Sequence, residues 1–266
     1  MEFVIVAAVV LFGSALTFFS GFGLGTLMLP VFSVFFDLPV AIGATAVVHF
    51  ANNIFKFALV YKHIHYRTFL LFGIPALIAA IGGSALLTYF DHFETITSYS
   101  FAGGNFDVTT VGVAIGGLMI FFAWFDLDPR FNDLKIKPQH IPFGGALSGF
   151  FGGLSGHQGA FRSTFLTKAG LSKEQFIGTS NAVSLVVDFI RMSVYLFGAS
   201  LLTSGESSFN DKLLEAQDLL IVGVICAFVG TYFGKKLVKK TTITGIQRVV
   251  GVMLFVMGTL MIVGII

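Results

Sequence analysis

The sequence predicts an all-α polytopic membrane protein built from two inverted repeats, each a re-entrant or broken helical hairpin followed by three transmembrane helices. Of the 266 residues, 55% are hydrophobic and only 11% are charged, and the mean hydropathy is +0.89. A soluble domain carries about 25% charged residues. Lipid is the solvent that accommodates this composition, so the lipid bilayer is the first partner that the sequence implies.

An internal repeat divides the apolar sequence into two similar halves. Residues 21–61 align with residues 155–195 when the chain is shifted by 134 positions. Each copy begins at a glycine-rich break within apolar sequence, and paired breaks of this kind indicate a transporter binding site. The aligned pairs are Gly25 with Gly159, Thr45 with Thr179, Phe55 with Phe189 and Tyr61 with Tyr195.

Six apolar stretches are long enough to cross the bilayer as helices of about 20 residues. They cover residues 40–61, 69–90, 108–125, 175–199, 218–234 and 246–266. Two further apolar regions are interrupted by glycines, residues 3–36 at 21–25 and residues 141–170 at 152–156. The arms of the second region have only about 13 residues, which is shorter than a span requires. Both regions are therefore predicted to be hairpins that enter and leave on the same side.

The two halves are expected to form one fused unit. Residues 1–125 make the first transmembrane repeat, residues 126–140 a basic cytoplasmic linker, and residues 141–266 the second repeat. The N-terminal stretch resembles the apolar part of a signal peptide, but no basic residues precede it, so we expect a retained membrane helix. The single cysteine, Cys226, lies in an apolar helix and can form no disulfide within the chain.

The distribution of basic residues supports this arrangement. With two hairpins, the loops at 62–68, 126–140, 168–174 and 235–248 share one side and hold twelve of the 16 Lys and Arg residues. The opposite side holds one, Lys212. Basic loops mark the cytoplasm, so both termini are predicted to lie outside, in a multi-pass protein of the plasma membrane. Each half then makes three net crossings, and an odd number of crossings inverts the second half relative to the first.

The two breaks are the strongest candidates for a site. Non-helical backbone at membrane depth is tolerated only where protein or a water-filled cavity surrounds it. Other glycines, namely Gly112, Gly116, Gly149 and Gly153, have the small-xxx-small spacing of close helix packing and are assigned to packing. The break residues predicted to bind substrate are Gly21, Gly23, Gly25, Thr26, Ser155, Gly156, His157, Gln158 and Gly159.

Polar residues form stripes on equivalent spans of the two repeats. The first stripe contains Thr45, His49, Asn52, Asn53 and Lys56, and the second contains Asn181, Ser184, Asp188, Arg191 and Tyr195. Helical periodicity places each set on one face, so we expect a shared polar interface between the halves. The residues of these spans predicted to contact substrate are Thr45, His49, Asn52, Lys56, Thr179, Asn181 and Arg191.

Each ionisable residue in these spans also has a structural interpretation. Asp188 and Arg191 could neutralise each other as an i,i+3 ion pair. Lys56 could extend toward the basic end of its helix, and His49 could be packed against a carbonyl group. Because charges inside a membrane mark function by default, Asp188 and His157 are the candidates for proton coupling.

Arg162 stands one turn beyond Gly159, at the start of a predicted short helix. The free N–H groups of a helix start and a guanidinium together make an anion site. The predicted centre is rich in donors and contains one acid, Asp188, whereas a cation site would show the opposite balance. A small anion is therefore the expected substrate, with no metal or other cofactor. The net charge of +2 is spread over short loops and implies no nucleic acid partner.

Enzyme motifs are nearly absent from the sequence, which contains no H-E-x-x-H, Walker or G-x-S-x-G motif. Residues 153–156 match the G-x-S-G of intramembrane rhomboid proteases, in which a histidine on a separate helix completes the site. The one histidine that follows Ser155 is His157, on the same turn. We expect it to be unable to act as a separate base, so the protein is predicted not to be an enzyme.

Four motifs carry a resemblance to a known family: GFGLGTLMLPVF in the first half, and GHQGAFRSTFL, GLSKEQFIGTS and DFIRMSVY in the second. They resemble the TauE/SafE family of sulfite and organosulfonate exporter-like permeases, and the resemblance covers nearly the whole chain. It implies sulfite or a small sulfonate as the substrate. Leu24 and Thr26 depart mildly from the family's glycine-rich first turn. His157 and Gln158 replace further glycines in the second, which indicates a subgroup with a different pocket.

Three functions remain open at the level of the sequence. The leading hypothesis is a secondary permease or exporter of small anions that works by alternating access between inverted repeats, with proton coupling as an additional option. A passive anion channel is the nearer alternative, and a membrane scaffold or accessory subunit is the more distant one. A homo-oligomer is compatible with all three.

Overall fold

The computed structural model describes residues 2–20, 24–36, 38–90, 95–101, 103–128, 130, 137–202, 214–237 and 243–265. Within these residues the chain forms ten α-helices and one two-stranded β-hairpin. The predominance of helices agrees with the predicted class.

Both halves follow the same order of helices, which is a long helix, a short helix and three long helices. The first half contains α1 (Glu2–Ser20), α2 (Gly25–Ser33), α3 (Leu38–Val60), α4 (Tyr66–Phe90), β1 (Thr95–Phe101), β2 (Gly104–Thr109) and α5 (Thr110–Leu127). The second half contains α6 (Ile141–Ser155), α7 (Gly159–Leu166), α8 (Lys173–Leu202), α9 (Gln217–Leu237) and α10 (Ile243–Ile262). The second predicted break is confirmed, since one helix ends at Ser155 and the next begins at Gly159. Residues 21–23 of the first predicted break lie outside the described residues.

The short arms are half-helices. At 1.5 Å per residue, α2 is about 14 Å long and α7 about 12 Å, less than half of a hydrocarbon core of about 30 Å. The helix before the second break ends at Gly156, whose φ of 80° lies in the left-handed region. Its N–H donates to the Gly152 carbonyl at 3.0 Å. Glycine is the residue that adopts this helix-terminating conformation most readily.

A two-stranded β-hairpin that the sequence analysis did not predict lies among the helices. Strands β1 and β2 pair antiparallel from Phe101–Gly104 to Thr95–Thr109. The segment TITSYSF in β1 is rich in β-branched and aromatic residues, which favour strands. The predicted span at 108–125 therefore begins later, at Thr110. The Thr109 hydroxyl caps that helix by accepting the Gly112 N–H at 3.0 Å.

Three described helical stretches are long and apolar enough to span a membrane, Val40–His63, Tyr66–Leu87 and Gln217–Lys236. Shorter apolar helices cover Glu2–Phe18, Thr110–Phe125 and Gly251–Ile262. Within the described residues, the predicted span at 175–199 is in neither group. It lies within α8, which carries the second polar stripe.

Close packing joins the first helix of each half to the fourth helix of the other half. On α6, Gly145, Gly149 and Gly153 face backbone atoms of Phe72, Ala76 and Ala80 on α4. On α9, Gly230 and Gly234 face the backbone of Leu11 and Ala15 on α1. Small residues allow helix backbones to approach closely in a membrane. The packing interpretation of Gly149 and Gly153 is confirmed, as is that of Gly112 and Gly116, which face Met261 and Gly258 of α10.

Two further contacts join equivalent helices of the halves, α3 with α8 and α5 with α10. Along α3 and α8, His49 lies beside Asp188, and Val60 lies beside Gly178, so the two helices run in opposite directions. Along α5 and α10, Gly116 faces Gly258 while Leu127 faces Gly251, so these helices are also antiparallel. The polar stripes of the sequence lie on the α3–α8 pair.

A substitution tests the close packing of α4 and α6. A methyl group at Gly149 would overlap the Ala76 carbonyl, and backbone atoms cannot move aside cheaply. We expect Gly149→Ala to lower stability by about 1–3 kcal/mol, seen as a lower melting temperature in detergent. Gly82→Ala on α4 is the matched control, because no described atom lies within 4 Å of its methyl group. Equal melting of the two variants would contradict this packing.

Candidate functional site

The two polar stripes meet at the centre of the α3–α8 interface, as the sequence predicts. Asn181 donates to the Asn53 side-chain oxygen at 3.2 Å, and Asn53 donates to Asp188 at 2.6 Å. The polar residues that form this centre are buried, and none of them is more than 7% exposed. Its residues are His49, Asn52, Asn53, Lys56, Ser180, Asn181, Ser184, Asp188 and Arg191.

Asp188 is the hub of this centre. One carboxylate oxygen lies 2.6 Å from the Asn53 amide and 2.7 Å from Nδ1 of His49, and the other accepts from the Gln158 amide at 3.0 Å. Nη2 of Arg191 is 3.7 Å away. The predicted Asp188–Arg191 ion pair is therefore present but is the longest of these contacts. The main partner of His49 is this carboxylate, which corrects the suggestion that a backbone carbonyl holds the ring.

The proton on His49 can be placed from its neighbours. Nδ1 lies 2.7 Å from Asp188 but also 3.3 Å from the Asn53 amide, which is itself a donor. One ring nitrogen cannot both donate and accept, and the shorter, charge-assisted contact prevails. Nδ1–H therefore donates to Asp188. The other nitrogen, Nε2, is buried and has no hydrogen-bond partner among the described residues.

Arg162 binds side chains of α8 and Gln158 of the second break. Its Nε donates to the Ser180 hydroxyl at 2.8 Å, and its Nη1 donates to the Ser184 hydroxyl at 2.8 Å and to Oε1 of Gln158 at 2.7 Å. The predicted anion site of Arg162 and the backbone N–H groups of residues 156–159 stays a prediction. Gln158 accepts from Arg162 and donates to Asp188, so it links the break to the hub.

Lys56 stays inside the protein. Its side chain is 5% exposed, and Nζ lies 3.5 Å from the Thr17 hydroxyl of α1. The interpretation in which Lys56 extends toward the basic end of its helix is therefore wrong. A buried ammonium without a facing carboxylate is costly, which is a reason to expect a transient negative partner.

A small cavity lies between Lys56 and Arg162. The volume open to water in this cavity is about 20 Å³, which is enough to hold a water molecule. Its lining is mostly polar and comes from α1, α3, α7 and α8. The lining residues are Thr17, Phe18, His49, Asn53, Lys56, Arg162, Ile177, Ser180, Asn181 and Ser184.

Arg191 lies against the second break. A methyl group added to Gly156 would overlap its Nη1. The guanidinium is fully buried, and none of its three nitrogens has a hydrogen-bond partner among the described residues. The Gly156 carbonyl lies 3.7 Å from the position that a Cβ of Gly25 would take. Gly25 and Gly156 are therefore neighbours, and the Arg191 guanidinium lies against Gly156.

The charges of this centre do not balance. Lys56, Arg162 and Arg191 are buried cations, and Asp188 is the buried carboxylate among the described residues. Buried charges are stable only when they are paired and hydrogen-bonded. The centre can therefore hold an anion. No group of three or more described His, Cys, Asp or Glu residues is arranged to hold a metal ion.

Ser155 and His157 are in direct contact. Nδ1 of His157 lies 3.0 Å from the Ser155 hydroxyl, because the left-handed Gly156 between them turns both side chains inward. The Ser155 hydroxyl also donates to the Phe151 carbonyl at 3.2 Å. Its proton is then held by that carbonyl while His157 donates to the serine oxygen. The imidazole also stacks on Phe122 with ring centroids 5.5 Å apart. This arrangement does not activate the serine as a nucleophile.

The remaining predicted residues lie at the edges of the centre. The Asn52 oxygen accepts from Thr231 of α9 at 2.7 Å, and the Thr179 hydroxyl accepts from the His65 N–H at 3.0 Å. Gly159 begins α7 and is buried, and the Thr45 hydroxyl has no partner among the described residues. Gly21 and Gly23 lie outside the described residues, as does the Thr26 side chain.

Two residues that line the cavity, Thr17 and Ser180, were not predicted from the sequence. Ser180 follows Thr179 on α8, and it precedes Ser184 by one helical turn, so it continues the second stripe. That periodicity could have identified it. Thr17 is a single hydroxyl in an apolar helix, and its sequence carries no signal that would distinguish it from a packed threonine.

The fold and the buried cationic centre define a class, that of polytopic membrane proteins with a polar site between two similar halves. Residues 5–261 match the family model described as sulfite exporter TauE/SafE. The chain therefore belongs to the TauE/SafE family, which is a family of membrane transporters of sulfur anions. The predicted resemblance is confirmed over nearly the whole chain. A search of curated proteins gave no match.

Proposed function

We propose that this chain is a secondary transporter, an exporter or permease, of small anions, most directly sulfite or organosulfonates. The observation that carries the proposal is the buried centre in which Lys56, Arg162 and Arg191 face a single described carboxylate, Asp188. An anion that enters the centre would relieve this imbalance. A scaffold does not require three buried cations, because apolar residues of similar size hold helices together at least as well.

The chemistry of the cavity suits a sulfur oxyanion. The Ser180 and Ser184 hydroxyls accept from Arg162, so each retains its own O–H to donate to an anion. Lys56 adds a positive charge on the opposite wall. A sulfite or sulfonate group carries three oxygens in a pyramidal or tetrahedral array and can accept from several of these donors together. Hydrogen bonds to charged groups contribute about 1.5–3 kcal/mol each.

Inverted repeats supply a route for alternating access. Two sets of helix pairs support a two-fold axis in the membrane plane. The α3–α8 and α5–α10 pairs are antiparallel. In the α1–α9 and α4–α6 pairs, the first helix of one half packs on the fourth helix of the other. Two such halves can rock about a central site, because each half presents the same surfaces to the other in opposite orientation. The cavity between α3, α7 and α8 would then open to one side of the membrane at a time.

Asp188 is the candidate for coupling transport to protons. It is the one acid within the described centre, and His49 contacts it at 2.7 Å. A proton arriving at this pair changes the charge beside the cavity without any change in the fold. His157 remains a second candidate, because its Nε2 has no partner among the described residues.

The proposal is tested by uptake into liposomes. Purified protein of verified fold is reconstituted and supplied with sulfite, organosulfonates, sulfate and carboxylates in turn. Saturable uptake of one or more sulfur anions is the expected result. Uptake that rises linearly with concentration would indicate a channel, and no uptake of any anion would favour a scaffold.

The proposed topology has its own test. In a Cys226→Ala background, single cysteines at the exposed positions Ser100 and Glu215 should react with an impermeant reagent from outside the cell. Cysteines at the exposed positions Lys62, Lys173 and Lys236 should react only after permeabilisation. This pattern follows from basic loops on the cytoplasmic side and places both termini outside the plasma membrane. Labelling of residue 236 in intact cells would contradict the inverted arrangement.

A further inference from the structure

We infer that a second anion-binding position lies where the two breaks meet, formed by Arg191, the Thr45 hydroxyl and Nε2 of a protonated His49. The inference rests on the proposed function and deepens it, since the ligand is the transported sulfur oxyanion. The position is a second station on the path, next to the cavity that Lys56 and Arg162 line.

Unsatisfied donors point to this position. The Arg191 guanidinium is fully buried against Gly156, and its Nε, Nη1 and Nη2 have no hydrogen-bond partner among the described residues. Buried donors normally have partners, and a buried donor without one destabilises the protein. A planar guanidinium with free donors matches a sulfur oxyanion, because it can engage two oxygens together.

Two polar residues of α3 border the same place, Thr45 with its methyl group and His49 with the ring carbon next to Nε2. The Cγ2 of Thr45 lies 3.5 Å, and the Cδ2 of His49 3.8 Å, from the point that a Cβ of Gly25 would occupy. The Thr45 hydroxyl and the neighbouring Nε2 of His49 are both buried without described partners. Gly25 and Gly156 carry no side chains, so the backbones of the two breaks can part here and admit an anion.

The position adjoins the cavity and shares His49 with it. The lining of the cavity includes neither Arg191 nor Thr45. Asp188 lies between the two, since it binds His49 and Gln158 and faces Arg191. An anion that moves from the cavity to the break would therefore pass the one carboxylate of the centre.

His49 makes occupancy of the position depend on pH. Its Nδ1 already donates to Asp188, so neutral His49 presents a lone pair at Nε2 and would repel an anion. A second proton turns Nε2 into a donor. The other groups that face the ring are Asn53 and Lys56 of α3 and Arg191 of α8. Binding at the position should therefore strengthen as pH falls, and an anion there would be accompanied by a proton.

The experiment measures binding and transport of ³⁵S-sulfite separately for Thr45→Val, Arg191→Met and wild-type protein. Because the Thr45 hydroxyl has no described partner, Thr45→Val should leave thermal stability unchanged. Uptake should nevertheless fall about tenfold or more, the effect of one lost hydrogen bond to a charged group. Arg191→Met should lose uptake almost entirely, and uptake is compared for each folded molecule because the change also removes a buried partner of Asp188. Equilibrium binding at the cavity should persist in both variants.

Thr68→Val is the matched control, a buried threonine whose hydroxyl contacts the His65 ring at 2.8 Å, far from the break. It should transport normally for each folded molecule. Wild-type uptake and wild-type pH dependence in both Thr45→Val and Arg191→Met would overturn the inference. Complete loss of equilibrium binding in both would also overturn it, since one shared site would then suffice. If wild-type protein moved no anion, the proposed function itself would fail.

Discussion

Replacing Asp188 with asparagine is expected to remove the response of anion uptake to a pH gradient and to lower stability. The carboxylate accepts from Asn53, His49 and Gln158, and an amide can accept with only one of its two groups. The centre would also lose its negative charge beside Lys56, Arg162 and Arg191. Breaking a buried pair in this way costs about 3–5 kcal/mol.

Wild-type protein coupled to one proton should accumulate anion about tenfold for each unit of pH difference. The Asp188→Asn variant should bind anion but equilibrate it without accumulation. Asp218→Asn is the control, because that acid is exposed at the start of α9 and should change neither property. Unchanged accumulation in Asp188→Asn would leave Asp188 as a structural partner of His49.

Replacing Arg162 with lysine is expected to weaken sulfite binding by about 1–3 kcal/mol, which is about 5- to 150-fold in Kd. Lysine cannot reproduce the fork that contacts Ser180, Ser184 and Gln158 together, because its ammonium is a single point charge. The two serine hydroxyls would also lose the donor that fixes their orientation. Isothermal titration with purified protein measures the change.

Arg248→Lys is the matched control, since Arg248 is exposed near the start of α10. It should bind sulfite as wild type does. Unchanged affinity in Arg162→Ala would remove the cavity from the proposed path and leave the position around Arg191 as the binding site.

The features that follow helical and repeat periodicity could be predicted from the sequence. The breaks near Gly25 and Gly156 were visible because glycine interrupts otherwise apolar runs, and α2 and α7 indeed start 134 residues apart, at Gly25 and Gly159. The stripes on α3 and α8 were visible because polar residues at helical spacing must share a face. Their meeting in one centre required only that equivalent helices pack together.

The directions of long side chains could not be predicted, since they depend on tertiary packing. Arg162 is in the expected helix but turns toward Ser180, whereas Arg191 on the neighbouring helix reaches Gly156. The Ser155–His157 contact depends on the left-handed backbone at Gly156, which residue spacing alone does not reveal. The β-hairpin was missed because composition favoured helices throughout, although its first strand carries local strand residues.

The central claim is that a buried cationic centre between two inverted halves carries sulfur oxyanions by alternating access. Counterflow tests it most directly, in proteoliposomes that contain wild-type protein and are preloaded with unlabelled sulfite. A carrier should take up external ³⁵S-sulfite faster than proteoliposomes without preloaded sulfite do, with a transient overshoot and saturation. Identical uptake with and without preloaded sulfite, at a rate that rises linearly with concentration, would contradict the account.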